Sequence, residues 1–279
     1  MPIQAPLVQY DAEFIAAFEQ RESLLRGCVI NKGVVKGNSF IFGVSGSNGG
    51  VAVTRGANGL IPATINQQTQ YTCTLAEWHR LEKQTGFVDF ASQGDQRAAM
   101  QKSVMAVLNR KIDEDIIGAL DSSTLFTDAA HLPLSFQMIQ KAIVLLGNAE
   151  VSVQETDNMF GLLTPAAMAY LMQLPEFSNA QYVDTKPFTG KIGQMYRWYG
   201  INWMQHPNLT GVGTASEKCY LFHRNAIGSA VNVAGVKNAI GNDEEQDMAF
   251  VRSSIYMGSK LIQNTGIIQL RHDGSALSS

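Results

Sequence analysis

Three consecutive acidic residues, Asp113, Glu114 and Asp115, lie in the stretch NRKIDEDIIGAL and are candidates for metal binding or acid–base catalysis. Successive residues of an α-helix are rotated by about 100°, so three in a row do not converge on one ion. One apolar helix face is defined by Ile112, Ile116, Ile117 and Leu120. Asp113 lies roughly 35° from the centre of that face, whereas the other two acids lie more than about 120° away.

This phasing predicts that Asp113 is buried, and Arg110, three residues earlier, is its predicted partner in a structural ion pair. Glu114 and Asp115 are predicted to be solvated, each four residues after a basic residue. A single inward acid beside an arginine is more typical of a structural pair than of a catalytic group. We therefore assign no catalytic role to these acids.

Other patterns that carry chemistry are incomplete in this sequence. GKIGQ at 190–194 lacks the Ser or Thr of a phosphate-binding loop, and GVSGSNGG at 43–50 has the composition of a hairpin turn. The five histidines are scattered singly, and Cys219 has no sequence signature of a nucleophile. We predict no catalytic residue, metal ligand or cofactor, and no enzymatic activity.

Composition limits the possible partners. The chain has 279 residues, 45% of them hydrophobic and only 16% charged, with a net charge of −3. Without a basic tail, tight electrostatic binding to nucleic acid is not expected. Low charge with 25 glycines favours a surface that other copies of the chain cover. Three cysteines without C-x-x-C spacing predict reduced thiols in a cytosolic setting.

The amino-terminal residues and the longest apolar runs predict neither secretion nor membrane insertion. The start, MPIQAPLVQYDAEF, lacks the basic and apolar regions of a secretory signal. No run approaches the length of about 18 apolar residues that a spanning helix needs. We therefore expect no membrane partner.

Aromatic residues cluster in MYRWYGINW, and this cluster has two interpretations. Such residues stack on sugars or bases, and they also anchor protein interfaces. Because no basic groove accompanies them, we favour the interface. The predicted subunit-interface residues here are Tyr196, Arg197, Trp198, Tyr199 and Trp203.

Periodicity predicts an α+β chain with an arm. A helix is predicted over 11–26, followed by short strands at 40–44 and 51–55 and a returning strand within 67–78. A hairpin with so few large apolar residues near its tip cannot bury itself, so it should project and pack on a partner. A long helix is predicted over 95–121, where apolar residues recur at four-residue spacing: Val104, Leu108, Ile112 and Ile116. Shorter helices are predicted over 134–148, capped by Ser135, and over 164–177, capped by Thr164, with further strands after them.

The order of these parts resembles the major capsid proteins of tailed phages with the HK97 fold, within them the podophage-type branch. The resemblance rests on an R-G-x-x-G-x-I-P arm, here Arg55 to Pro62, and on the helix motif Arg-x-x-Asp-x-x-Ile-Ile, here Arg110 to Ile117. It extends over nearly the whole chain, in the order of the predicted elements and in the general character of their sequences. It adds Arg55, Ile61 and Pro62 to the candidate interface residues.

The resemblance implies an HK97-like division of the chain. Its five expected parts are an N-terminal arm with a helix (1–30), an E-loop hairpin arm (31–86), a peripheral domain with the spine helix (87–135), an axial domain (136–234) and a return to the peripheral domain (235–279).

The resemblance also implies a function. Members form hexamers and pentamers of an icosahedral shell that encloses double-stranded DNA without sequence-specific binding. Portal, scaffolding or decoration proteins are the further partners implied. The chain would then be assembled in the bacterial cytoplasm and be part of the virion. Two alternatives stay open at this point: an encapsulin-type shell that encloses cargo enzymes, and a soluble α+β enzyme.

Overall fold

A computed structural model describes residues 20–46, 50–56, 58–62, 68–86, 96–178, 195–232 and 236–278. Within these ranges the strands form two five-stranded sheets and one separate hairpin. The elements in chain order are β1 (Ile30–Val35), β2 (Ser39–Ser45), β3 (Gln68–Thr74), β4 (Ala76–Thr85), α1 (Gln96–Asp121), α2 (Phe136–Asn148), β5 (Met159–Leu163), α3 (Pro165–Gln173), α4 (Pro175–Ser178), β6 (Met195–Trp198), β7 (Ile201–Gln205), β8 (Glu217–His223), β9 (Ile227–Asn232), β10 (Lys237–Asp243), β11 (Met248–Leu261), β12 (Ile267–His272) and α5 (Ser275–Ser278).

The long helix α1 is the predicted spine helix, with 26 residues. At 1.5 Å per residue it is about 39 Å long. A stripe of buried side chains recurs every four residues at the predicted positions Val104, Leu108, Ile112 and Ile116, and it continues to Leu120. This stripe packs the helix across β11, β4 and β9.

The helices α2 and α3 begin where the sequence places their caps. The Ser135 side chain accepts a hydrogen bond from the Met138 backbone N at 3.3 Å. The Thr164 side chain accepts one from the Ala167 N at 3.1 Å, and Pro165 is the first residue of α3. Both caps satisfy N–H groups that have no partner within the helix.

The first sheet has the strand order β1-β9-β11-β10, with β4 paired to the other edge of β11. β11 is its longest strand, with 14 residues, and pairs antiparallel with β4, β9 and β10. β1 pairs parallel with β9, placing Ile30 opposite Gly228. The early strand β1 therefore forms the edge of this sheet, next to β9 from late in the sequence.

The second sheet has the order β12-β8-β5-β7-β6. Its central strand β5 is buried along its whole length. Gly161 in β5 lies directly under the Trp203 ring, where a Cβ would overlap the indole. The glycine therefore lets a fully buried tryptophan lie flat on the sheet.

The chain crosses from one sheet to the other at two 3-10 turns, so the sheets do not follow the predicted domain limits. The turn at Arg224–Ala226 leads from β8 to β9, and the turn at Asn264–Gly266 leads from β11 to β12. β9 therefore belongs to the first sheet and β12 to the second, so the boundary does not fall at residue 234. Likewise β1 and β4, predicted within the arm, belong to the first sheet.

Two predicted elements differ from the structure. Residues 20–26, the end of the predicted first helix, form bends and turns, while residues 11–19 lie outside the described part of the chain. The predicted strand over 51–55 is irregular, and its place opposite β2 is taken by β3. In the first case local propensity yields to a contact distant in the sequence, since residues 23–25 bind the Asp113 carboxylate.

Candidate assembly surface

The hairpin arm, defined as residues 39–74, is separate from both sheets. β2 and β3 pair antiparallel from Ser39 opposite Thr74 to Ser45 opposite Gln68. Each strand has a single buried residue. The prediction of a hairpin that leaves most of its side chains uncovered is confirmed.

The base of the arm docks on two glycines of the first sheet. The side chains of Phe42 and Cys73 are 6% and 1% exposed. They form one apolar cluster with Ala230 in β9 and with Ile262, which follows β11. A Cβ built on Gly228 would stand 2.5 Å from Cζ of Phe42, and one on Gly258 would overlap the Thr74 carbonyl oxygen. The missing side chains therefore create the site into which the arm fits.

The rest of the arm presents apolar side chains to solvent. Val51 is 83% exposed and Leu60 is 67% exposed. Ile41, Val53 and Ile61 are also more than half exposed. A concentration of exposed apolar side chains on one projecting element is typical of a protein–protein contact. Arg55 and Pro62, predicted interface residues, are exposed on the same segment.

The aromatic run is divided between core and surface, which corrects part of the interface prediction. Trp203 is fully buried, and Trp198 and Tyr196 are 7% and 8% exposed. These three pack in the core of the second sheet and are not available to another subunit. Their indole and phenol rings fill the space between that sheet and its helices. Arg197 and Tyr199 are exposed and stay predicted interface residues.

Asp113 is buried, as the helix phasing predicted, and is 1% exposed. Its carboxylate accepts hydrogen bonds from the segment before β1 and from the residue after β7. The donors are Gln20 Nε2, Ser23 Oγ at 2.6 Å, Leu24 N at 3.0 Å, Leu25 N at 3.2 Å and His206 Nε2 at 3.2 Å. All of them lie outside α1, so the burial of this acid is compensated without Arg110, its predicted partner.

Electrostatics explains how an ionised acid is kept in this place. Burial opposes ionisation of Asp113, but hydrogen bonds from His206, Ser23 and two backbone N–H groups outweigh it and lower its pKa. His206 Nδ1 accepts the Asn208 N–H at 3.1 Å, so Nε2 carries the hydrogen that is donated to Asp113. The site therefore fixes the chain before β1 onto the spine helix and has no open face for a substrate.

Asp115 differs from the prediction of a solvated acid. It is half-buried, and burial raises its pKa, which the neighbouring Ser259 and Lys111 partly offset. Ser259 belongs to β11, which crosses the helix on this side. Helix phasing alone could not show this contact. Glu114 is exposed as predicted and pairs with Lys111 at 2.9 Å.

The remaining candidates for chemistry are buried or incomplete. Cys219 is fully buried, and burial raises the pKa of its thiol to about 12, so it carries no thiolate near neutral pH. GVSGSNGG begins in β2, in the hairpin, while GKIGQ lies outside the described residues. Among the described residues, no group of three or more His, Cys, Asp or Glu side chains could hold a metal. None of the described helices is long and apolar enough to cross a membrane.

Solved phage capsid structures share this fold. A chain of Mycobacterium phage Che8 superposes with a TM-score of 0.76 at 16% identity, covering 96% of this chain and 97% of that one. The head of Helicobacter pylori bacteriophage KHP40 gives 0.73 at 12% identity, with 95% and 94% covered. The capsid of a native GTA particle gives 0.70 at 12% identity, with 97% and 96% covered. The chain therefore has the HK97-like capsid fold that the sequence predicted.

Comparison with known sequences then identifies the family. No curated protein matches the chain. A family model described as phage capsid protein matches residues 3–274, which is nearly the whole chain. Together with the docked hairpin and the spine helix, this match identifies the chain as a member of the phage capsid protein family.

Proposed function

We propose that this structural capsid protein assembles into hexamers and pentamers of a closed icosahedral shell that encloses phage double-stranded DNA. The observation that carries the proposal is the hairpin arm: it is docked at its base and apolar beyond it. Leu60 and Ile61, 67% and 64% exposed, gain a dry environment only if another subunit covers them. Several contacts of standard size, roughly 1,600 Å² each, are enough because every subunit has several neighbours.

The charge of the chain supports enclosure of DNA without sequence-specific binding. Twenty-one basic residues stand against 24 acidic residues, with no basic tail to condense on the phosphate backbone. A genome that is moved into a preformed shell does not require such a tail. We place the protein in the virion, with assembly in the bacterial cytoplasm. Portal, scaffolding or decoration proteins are further proposed partners.

A shortened arm tests the proposal. Because Ser45 is opposite Gln68, residues 46–67 can be replaced by Asn-Gly, a two-residue turn that closes a hairpin at this register. Phe42 and Cys73 keep their places, so the subunit should unfold at the midpoint of the intact chain. We expect the intact chain to form closed particles in electron micrographs and the shortened chain to stay as small oligomers.

Two outcomes would contradict the proposal. Normal particles from the shortened chain would show that the arm is not an assembly element. Particles purified from infected cells that hold a protein cargo in place of DNA would instead favour an encapsulin-type compartment. Co-purification with a portal or scaffolding protein tests the additional partners.

A further inference from the structure

His272, the last residue of β12, is fully buried next to the segment that leads into α2. Its Nδ1 lies 3.1 Å from the backbone N of Leu134 and 3.3 Å from the backbone O of Leu132. Its Nε2 lies 3.8 Å from Oε2 of Glu217, whose side chain is also fully buried. One imidazole nitrogen therefore faces a backbone donor and a backbone acceptor at the same time.

These contacts define where the neutral ring of His272 carries its hydrogen. The Leu134 N–H is directed at Nδ1, so Nδ1 accepts and the hydrogen of the neutral imidazole is on Nε2. Nε2–H then points towards the Glu217 carboxylate, whereas a nitrogen lone pair in that place would be repelled. A second proton can therefore add only at Nδ1, the nitrogen that the Leu134 N–H already uses.

A proton on Nδ1 reverses the hydrogen bonding at this nitrogen. An imidazolium has two N–H donors and no acceptor, so the Leu134 N–H loses its partner. The new Nδ1–H can donate to the Leu132 carbonyl oxygen, which now accepts one hydrogen bond, from Asp273 N at 3.2 Å, and has a second lone pair. Each charge state of the ring thus has a backbone partner on the same segment.

Leu134 connects this ring to the start of α2. Its side chain is buried in the core of the second sheet, and it directly precedes Ser135, whose hydroxyl caps α2. The segment has a separate attachment to β12, because Leu132 N donates to Arg271 O at 3.4 Å. Loss of the Leu134 hydrogen bond would therefore loosen the entry to α2 while the attachment through Leu132 stays.

The titratable groups that face the ring influence the pH at which it gains a proton. They are Glu217 from β8, His131 from the segment before α2 and Asp273 directly after β12, and the Tyr170 ring of α3 packs against the imidazole at 5.2 Å between centroids. Burial outweighs the attraction of the two acids and lowers the pKa of His272 below its ordinary value of 6.5. Folding therefore favours the neutral ring, and this contribution to stability is lost as the pH falls below 6.5 and through the folded pKa.

We propose that His272 is a proton-sensitive link between β12 and the start of α2. The neutral ring accepts the Leu134 N–H and fixes the entry to α2, whereas the protonated ring donates to Leu132 O and releases that N–H. His206 and His223 also accept a backbone N–H at Nδ1, but among the described atoms no carbonyl oxygen bonds the same nitrogen. The link acts within one subunit and does not depend on the proposed shell.

Hydrogen exchange of the full-length protein, followed by mass spectrometry from about pH 7.5 to about pH 5, tests the link. After correction for the intrinsic pH dependence of exchange, the Leu134 amide should exchange on the order of tenfold faster at the acid end. His272→Gln cannot gain a proton and should remove this change, whereas His79→Gln, at a histidine that is 43% exposed, should retain it. Equal protection of the Leu134 amide at both ends of the range, or an acid-induced change that persists in His272→Gln, would overturn the proposal.

Glu217→Gln provides a second test that remains if His272→Gln does not fold. The amide oxygen of the glutamine can still accept the Gly213 N–H, which now donates to Glu217 Oε1 at 2.8 Å, but the negative charge is lost. Because that charge favours the protonated form of His272, the change in Leu134 exchange should move to lower pH than in the intact protein. A transition at the same or a higher pH would contradict the link.

Discussion

The second sheet and the hairpin arm both contain antiparallel strand pairs with apolar side chains, yet they use those side chains differently. All five residues of β5 are buried, whereas β2 and β3 bury one residue each. The sheet covers its apolar side chains with helices of the same chain. The arm covers only its base, so most of its apolar surface stays available to other molecules. Folding and assembly are therefore assigned to different residues, and substitutions can separate them.

The largest effect on folding is expected in the second sheet, for Trp203→Ala. The ring is fully buried on Gly161, and its Nε1 donates to the Trp198 carbonyl at 3.1 Å. We expect a loss of about 3–5 kcal/mol in the free energy of unfolding, because a large cavity forms. Urea denaturation measures it. The exposed neighbour Met195→Ala is the control and should cost less than about 0.5 kcal/mol.

The next largest effect is expected at the polar contact that joins the N-terminal segment to the spine helix. Asp113→Ala leaves His206, Ser23 and two backbone N–H groups without their acceptor. We expect a loss of about 3 kcal/mol, since buried partners of a removed charge stay unpaired. Glu114→Ala, on the exposed side of the same helix, should cost about 0.5 kcal/mol or less. Equal unfolding midpoints for the two variants would refute the burial argument.

An intermediate effect is expected at the base of the arm. Phe42→Ala removes the ring that fills the site above Gly228, and we expect a loss of about 2–3 kcal/mol. The cost is below that of Trp203 because the cluster around Phe42 is small. Gly228→Ala should weaken the same contact by displacing the ring. An unchanged unfolding curve for Phe42→Ala would show that even the base of the arm does not contribute to the stability of the subunit.

A smaller effect, with a defined pH dependence, is expected from Asp115. Its pKa is raised in the folded protein above the ordinary value of 3.8, so the folded state holds the proton more tightly. This contribution stabilises the fold below pH 3.8 and is lost as the pH rises through the folded pKa. Asp115→Asn should therefore be slightly more stable than the intact protein at pH 7, with the difference disappearing in acid.

Asp113 should show the opposite sign. Its folded pKa is lowered, so its contribution is present above pH 3.8 and is lost as the pH falls through the folded value. Asp113→Asn should be less stable than the intact protein at pH 7, and the two should converge in acid. Urea unfolding curves of both variants at intervals over pH 2–7, a range that spans the titration of carboxyl groups, measure these opposite pH dependences.

The smallest effect on folding, and the largest on assembly, is expected on the exposed part of the arm. Ile41→Ser and Ile61→Ser change side chains that are 52% and 64% exposed, and each should alter the free energy of unfolding by less than about 0.5 kcal/mol. Both should reduce the yield of closed particles measured by light scattering. Full yield from both variants would place the subunit contacts elsewhere.

Local sequence signals predicted the parts of the fold that depend on neighbouring residues. The spine helix, the caps at Ser135 and Thr164 and the inward direction of Asp113 follow from periodicity and capping, which act over a few positions. Periodicity and composition predicted an α+β chain with a projecting arm, and the resemblance to phage capsid proteins supplied the HK97-like fold. The podophage-type branch stays a prediction.

Contacts between distant positions could not be predicted. Asp113 is held by residues about 90 positions away in either direction, and Asp115 is covered by β11. Trp203 and Trp198 were assigned to an interface because composition does not distinguish a core aromatic from an interface aromatic. The two docking glycines, Gly228 and Gly258, gave no signal, since their role depends on what approaches them.

The position of those glycines in the chain has a consequence for the timing of synthesis. β1 pairs with β9, and the arm rests on Gly228 and Gly258. In each of these contacts the two partners are roughly 200 residues apart in the sequence. A ribosome must release nearly the entire chain before the arm can take its final direction. Neighbouring nascent chains on one messenger RNA therefore cannot present the surface by which they would join. If the arm is the assembly element that we propose, subunits become competent to associate through it only when translation is nearly complete, so nascent chains have little opportunity to associate prematurely.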